Sequence, residues 1–136
     1  MSNLSNSSLR VLVVDDHADL LSMLDLMMQR RQYAVKTALS GPEALEVAPE
    51  FAPHIVVSDI GMPGMDGYQL MTNLRATPDL APFKSIALSG YDMQSEDSRV
   101  RDAGYDAHLT KPIEFEQLFE MIEQLTQDMN SDDKIS

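Results

Sequence analysis

HIVVSDIGMPGMDGYQL, residues 54–70, is the stretch from which the fold can be read. Ile55, Val56 and Val57 form a β-branched run of the kind buried on both faces of a parallel sheet. The run finishes on Ser58 and a carboxylate, Asp59. Gly61, Pro63 and Gly64 then break the chain before Asp66 opens a helical pattern. An apolar strand that ends in an acid either meets solvent there by accident or exists to hold that acid.

Working outward, apolar runs and amphipathic segments alternate. Leu9–Val14 is a short strand, and Asp16–Gln32 carries Leu20, Leu21, Leu24, Met27 and Met28 on one helical face. Tyr33–Ala38 is a second strand. Ser40-Gly41-Pro42-Glu43 is a capping box with proline in the first turn, and it opens a helix running to about Glu50. The third strand is His54–Ser58, and the third helix is Asp66–Arg75 with Leu70, Met71 and Leu74 inward. Lys84–Leu88 is a fourth strand. Gln94–Ala103 is a weakly apolar fourth helix ending at the C-cap Gly104. Ala107–Leu109 is a fifth strand, and Glu114–Gln127 is a helix with Phe115, Leu118, Phe119, Ile122 and Leu125 on one stripe. Five strands alternating with five helices predict an α/β fold with right-handed crossovers around a parallel sheet.

The 136 residues suit one domain, placed here at residues 9–128, with tails at 1–8 and 129–136. Without cysteine there is no disulfide, thiol nucleophile or thiolate metal site, which is compatible with a reducing compartment. The opening MSNLSNSSLR has no signal-peptide pattern, and no apolar run is long enough to span a bilayer. A cytoplasmic protein is therefore expected. A net charge of -12 argues against nucleic acid or membrane as partners, since phosphate backbones and anionic lipids repel it. The ten methionines are read as core filler.

Ligands of open parallel sheets bind beyond the carboxyl ends of the strands. The residues there are Asp15 and Asp16 after strand one, Asp59 after strand three, Ser89 and Gly90 after strand four, and Thr110, Lys111 and Pro112 after strand five. Asp16 alone could be a helix cap, Ser89 a turn residue and Lys111 a surface lysine. Together they bring three carboxylates, a hydroxyl and an ammonium to one edge. Carboxylates so close repel unless a cation neutralises them, and oxygen ligands with a phosphate suit Mg²⁺. Lys111 and the Ser89 hydroxyl could hold further phosphate oxygens. The chemistry that fits is attack of an aspartate on phosphorus to form an acyl phosphate.

The motifs VLVVDDH (11–17), VVSDIGMPGMDGYQL (56–70), IALSG (86–90) and HLTKPI (108–113) resemble, in order and spacing, the receiver domain of bacterial two-component response regulators. The resemblance covers about Leu9 to Thr126, and the wording DIGMPGMDGYQL and AHLTKPI looks most like receivers attached to hybrid sensor histidine kinases. It implies a doubly wound, flavodoxin-like five-stranded sheet of order 2-1-3-4-5. It implies that Asp59 accepts a phosphoryl group from a histidine kinase or histidine phosphotransfer protein. It further implies Mg²⁺ bound by Asp16, Asp59 and the Gly61 backbone carbonyl, with Asp15 acting largely through water. Ser89 and Lys111 would contact the phosphoryl oxygens, and Lys111–Pro112 would be cis. Pro63, Gly64 and Gly67 match the loop that turns into the third helix. A downstream protein would read the face of the fourth helix, fifth strand and fifth helix.

The match has departures. His108 stands where many receivers have a tyrosine or phenylalanine that rotates inward on phosphorylation; it is either a switch residue or a partly exposed strand histidine. If it switches, its near-neutral pKa would make the motion pH-sensitive. Gly61 has no side chain where the family can carry groups that shield the acyl phosphate, so the lifetime of the phosphorylated state stays open. His54 opens a strand and His17 begins a helix beside the acids; neither is assigned a role.

Other readings are weighed on the same residues. A phosphatase of the haloacid dehalogenase class also uses an aspartate nucleophile with Mg²⁺, but it needs a general acid where Gly61 stands. A non-phosphorylated receiver-like binding module would have lost its acceptor or lysine, and both remain. A DNA-binding regulator needs an effector domain after the fifth helix, which this chain does not carry. The expectation is a phosphoacceptor signalling domain rather than an enzyme, its only chemistry being its own phosphorylation and dephosphorylation.

Overall fold

The computed structural model describes residues 9–90 and 97–135; the expected N-terminal tail at 1–8 and the first residues of the expected fourth helix, 94–96, lie outside them. Five strands, β1 (Arg10–Val14), β2 (Ala34–Ala38), β3 (Ile55–Asp59), β4 (Lys84–Ser89) and β5 (Ala107–Thr110), form one parallel sheet in the order β2-β1-β3-β4-β5. Between and after them run α1 (Ala18–Arg30), α2 (Gly41–Phe51), α3 (Gly67–Arg75), α4 (Asp97–Ala103) and α5 (Phe115–Ile135).

Burial follows strand position. β3 is buried at every residue and β1 at all but its first, because helices cover both faces of the central strands. β2, at one edge, alternates exposed and half-buried residues before Ala38. Side chains alternate between faces along each strand. Val11, Val13, Ile55, Val57, Ile86 and Leu88 meet α1 and α5, while Leu12, Val14, Val56 and Ala87 meet α2, α3 and α4. Each fully buried Val, Leu or Ile side chain among them stabilises the fold by about 1.5–3 kcal/mol, which makes the two cores the main source of stability.

Local signals set the helix starts. Asp66 caps α3 in a full capping box: its carboxylate accepts from Gln69 N at 2.9 Å, and Gln69 Oε1 accepts from Asp66 N at 3.0 Å. At α2, Ser40 Oγ accepts from Glu43 N at 3.3 Å, but the Glu43 carboxylate passes over the cap and takes Leu39 N at 2.7 Å. α1 begins at Ala18, later than the expected Asp16, because Asp15 Oδ1 accepts the His17 amide at 2.9 Å and holds the chain in a turn before the helix.

α5 departs most from expectation. It continues to Ile135, through the segment expected to be a tail, since no glycine or proline interrupts residues 128–135 once the helix is established. Of the methionines, Met28, Met62 and Met71 are core residues as expected, whereas Met23 is about half exposed on α1. Among the described residues, no helix is long and apolar enough to cross a membrane.

Candidate functional site

The strand register builds the site as a staircase. β1 and β3 pair up to Val14↔Ser58, so the next step sets Asp15 beside Asp59. Asp59 pairs with Leu88, which puts Ser89 one step further, and Ser89 pairs with Thr110, which puts Lys111 one step beyond that. Asp59 is therefore the last residue of β3, and Ser89 the last of β4, rather than loop residues just past them. The site sits where the chain reverses its winding between β1 and β3, the crevice in which such sheets bind ligands.

Asp15, Asp59 and Ser89 are all buried, at 0%, 4% and 0% exposure. Lys111 Nζ reaches across the edge to Asp15 Oδ2 at 2.9 Å and Asp59 Oδ1 at 3.4 Å. Gly61 N lies 3.4 Å from the same Asp59 oxygen. Burial, then the neighbouring Asp15 charge, raises the Asp59 carboxyl above its ordinary range, against the opposing pull of Lys111 and the Gly61 amide. Burial works against the Lys111 ammonium, but its hydrogen bond to Asp15 and the charges of Asp59 and Asp15 outweigh it and raise its pKa. Lys111–Pro112 is cis.

Asp16 points its Oδ1 into the same space. That oxygen is buried and accepts no hydrogen bond; His17 Nδ1 stands 3.4 Å from it. One ligand atom from each of Asp15, Asp16, His17 and Asp59 falls within 4.8 Å of the others. A buried, unsatisfied carboxylate oxygen among other carboxylates is a donor set that could hold a hard divalent cation.

Ser89 is engaged sideways: its Oγ and His108 Nε2 are 2.8 Å apart. The structure thus brings together Asp15, Asp16, Asp59, Lys111 and Ser89, with His108 joined to them through Ser89. Two residues escaped the sequence reading. His17 lies on the acids, with Nδ1 2.8 Å from Asp15 Oδ1; its adjacency to Asp15 and Asp16 was the available signal. Tyr105 donates its hydroxyl to Gly67 O at 2.8 Å, beneath the Asp59 loop, and burial pushes its pKa far up. Nothing in its sequence surroundings announces that contact.

A parallel sheet with acids, hydroxyl and lysine stepped along its carboxyl edge is the architecture of a signalling receiver. The chain belongs to the response regulator receiver domain family, whose model matches residues 11–123. It is thus a domain of two-component signal transduction. Relatives include the response regulator PleD of Caulobacter vibrioides, 33% identical over 119 residues, which are 88% of this chain and 26% of PleD. The transcriptional regulatory protein PrrA of Mycobacterium leprae is 38% identical over 121 residues, 88% of this chain and 50% of PrrA. The chain therefore spans only a quarter to a half of these relatives. Among solved structures, the chemotaxis protein CheY4 of Vibrio cholerae superposes with a TM-score of 0.80 at 26% identity, covering 86% of this chain and 98% of that one. A CheY-like receiver domain from Methanospirillum hungatei gives 0.82 at 26% identity, covering 92% and 99%.

Proposed function

We propose that Asp59 is the phosphoacceptor of this receiver, taking the group from a phosphohistidine of a histidine kinase or histidine phosphotransfer protein. The observation that carries this reading is the buried Asp59 carboxylate with Lys111 3.4 Å from the same oxygen that faces the Gly61 amide. An Asp59 oxygen attacks phosphorus as the donor's phosphorus–nitrogen bond breaks, and the freed imidazole keeps the electron pair and takes a proton. Lys111 leaves the Asp15 and Asp59 carboxylates to face the transferred oxygens, and the Ser89 hydroxyl donates to one of them. Asp16, Asp59 and the Gly61 carbonyl would hold Mg²⁺, with Asp15 acting through water. When bound, Mg²⁺ neutralises the clustered acids and stabilises charge on the phosphoryl oxygens. The domain acts from residue 9 to 128 as a signalling module rather than as an enzyme on other substrates, and its net charge of -12 suits a cytoplasmic location.

Asp59→Asn tests this directly. Intact mass after incubation with acetyl phosphate and Mg²⁺ is expected to show one phosphoryl group on the native chain and none on the variant. Equal gain on both, or none on the native chain, overturns the reading. The variant is also expected to melt higher at neutral pH. Because Asp59 titrates above the ordinary carboxylate range when folded, its ionisation costs stability as pH rises through that interval, and asparagine lacks that cost. The gain should vanish at acid pH, where the native carboxyl is already neutral.

What supports a switching role for His108 is that its ring holds the Ser89 hydroxyl at 2.8 Å and so competes with a turn of Ser89 toward a phosphoryl group. Its release would alter the α4–β5–α5 face for a downstream protein. His108→Phe removes the competitor and is expected to speed phosphoryl uptake roughly threefold to tenfold, the equivalent of one hydrogen bond. A time course of intact mass measures it, and an unchanged rate argues against the role.

A further inference from the structure

His17 is the N-cap residue of α1, yet its side chain makes no capping hydrogen bond. Its ring turns instead onto the acids, with Nδ1 2.8 Å from Asp15 Oδ1 and 3.4 Å from Asp16 Oδ1. The backbone reinforces that placement, since His17 N donates to the same Asp15 oxygen at 2.9 Å. Lys111 uses the other Asp15 oxygen, so the ammonium and the imidazole do not compete for one atom. The ring is 66% exposed at the mouth of a site whose floor, Asp15, is fully buried.

Resting on the reading that Asp16, Asp59 and the Gly61 carbonyl, with Asp15 through water, hold a divalent cation, we propose that His17 Nδ1 is a further ligand of that site. It turns an all-oxygen set into a mixed oxygen–nitrogen set and shifts the preference from Mg²⁺ toward later first-row ions such as Mn²⁺ and Ni²⁺. The four candidate ligand atoms lie within 4.8 Å of one another. Opposite ligands of an octahedral ion stand about 4.2 Å apart, so a small inward movement closes the set around one ion. Mg²⁺ takes oxygen ligands and gains little from an imidazole, whereas imidazole nitrogen suits Ni²⁺ and other later ions. At 2.8 Å from a carboxylate oxygen, Nδ1 donates its proton in the metal-free site; the neutral ring's other tautomer, with the proton on Nε2 in water, frees the Nδ1 lone pair for the metal.

The test uses the untagged chain, with MgCl₂, MnCl₂ and NiCl₂ titrated calorimetrically into the native protein, His17→Ala, His17→Asn and Asp16→Asn. His17 is exposed and asparagine is a good N-cap, so folding of the variants, checked by circular dichroism, is expected to be native. Both His17 variants are expected to lose Ni²⁺ affinity by about tenfold or more, with Mn²⁺ reduced less and Mg²⁺ changed by less than about twofold. Asp16→Asn is expected to weaken all three ions. Nitrogen-detected NMR of the rings should show Ni²⁺ perturbing His17 before His54 and His108. Unchanged Ni²⁺ affinity in the His17 variants, or first perturbation at another histidine, overturns the proposal while leaving Mg²⁺ binding intact. A native chain that takes no Mg²⁺, with Asp16→Asn still binding Ni²⁺ as well as the native chain, overturns the underlying cation reading as well.

Discussion

Gly67→Ala is expected to destabilise the chain by about 3 kcal/mol, the upper range for overpacking a closed site. A Cβ at Gly67 would stand 2.5 Å from the Asp59 carbonyl oxygen and 2.6 Å from Ile60 Cα, both of them backbone atoms. Neither can step aside cheaply. Ile60 N is bound to Leu88 O at 2.9 Å, and Gly67 N itself donates to Ile60 O at 2.9 Å, so the loop from 60 to 67 is closed on the strand end. The third neighbour, Tyr105 Oη at 3.0 Å, is the group that binds Gly67 O. Relief must come by lifting the start of α3 or by displacing Asp59. The variant should therefore also take up phosphoryl groups more slowly than its lost stability explains, as measured at a temperature where it is fully folded. Urea melts read the first effect and intact mass the second. A variant as stable and as reactive as the native chain would show that the loop is looser than this packing requires.

Arg75→Met is expected to be of similar size, about 3 kcal/mol and a fall in melting temperature of roughly 10 °C. The Arg75 guanidinium gathers two chain segments, 83–85 and 104–106, around the end of α3. Nη1 donates to Phe83 O at 2.8 Å, Nε to Gly104 O at 3.1 Å, and Nη2 to Gly104 O, Ser85 Oγ and Asp106 Oδ2 at 2.8, 3.0 and 3.0 Å. The group also stacks on the Phe83 ring at 4.0 Å. Methionine keeps most of the stem but removes all five hydrogen bonds, leaving Ser85 N and Oγ as the remaining donors to Asp106 Oδ2 and Gly104 O. Lysine keeps the charge without the planar fork, so Arg75→Lys should recover only a minor part of the loss. Thermal melts of the two variants decide the point; full rescue by lysine would reduce the network to a simple ion pair.

Arg75 drew no notice in the linear chain, and Gly67 only as one residue of a family loop. Arg75 stands as an ordinary basic residue in the last turn of a helix, and its partners lie 8–31 positions away. Gly67 matches a family loop, but the reason for a glycine there is the approach of the Asp59 backbone from another element. His17 was legible only as a helix start beside acids, because a turn made by Asp15 decides that its ring faces the site. The length of α5 was missed for a different reason: residues 128–135 are weak helix formers with no apolar stripe, and the helix already underway carries through them.

The doubly wound order came only from the family resemblance, but the sequence by itself determined the alternation of strands and helices, the α/β class with a parallel sheet and the positions of Asp15, Asp16, Asp59, Ser89 and Lys111 at strand ends. These follow from local periodicity and from the rule that a parallel sheet gathers its carboxyl ends on one edge. The tertiary structure alone decided which of those groups touch. The register sets Asp15 beside Asp59, Lys111 spans both, and Ser89 turns to His108. Register and side-chain direction arise from how separate strands pack against one another, so contacts between residues as far apart as Asp15 and Lys111 are written in no local stretch.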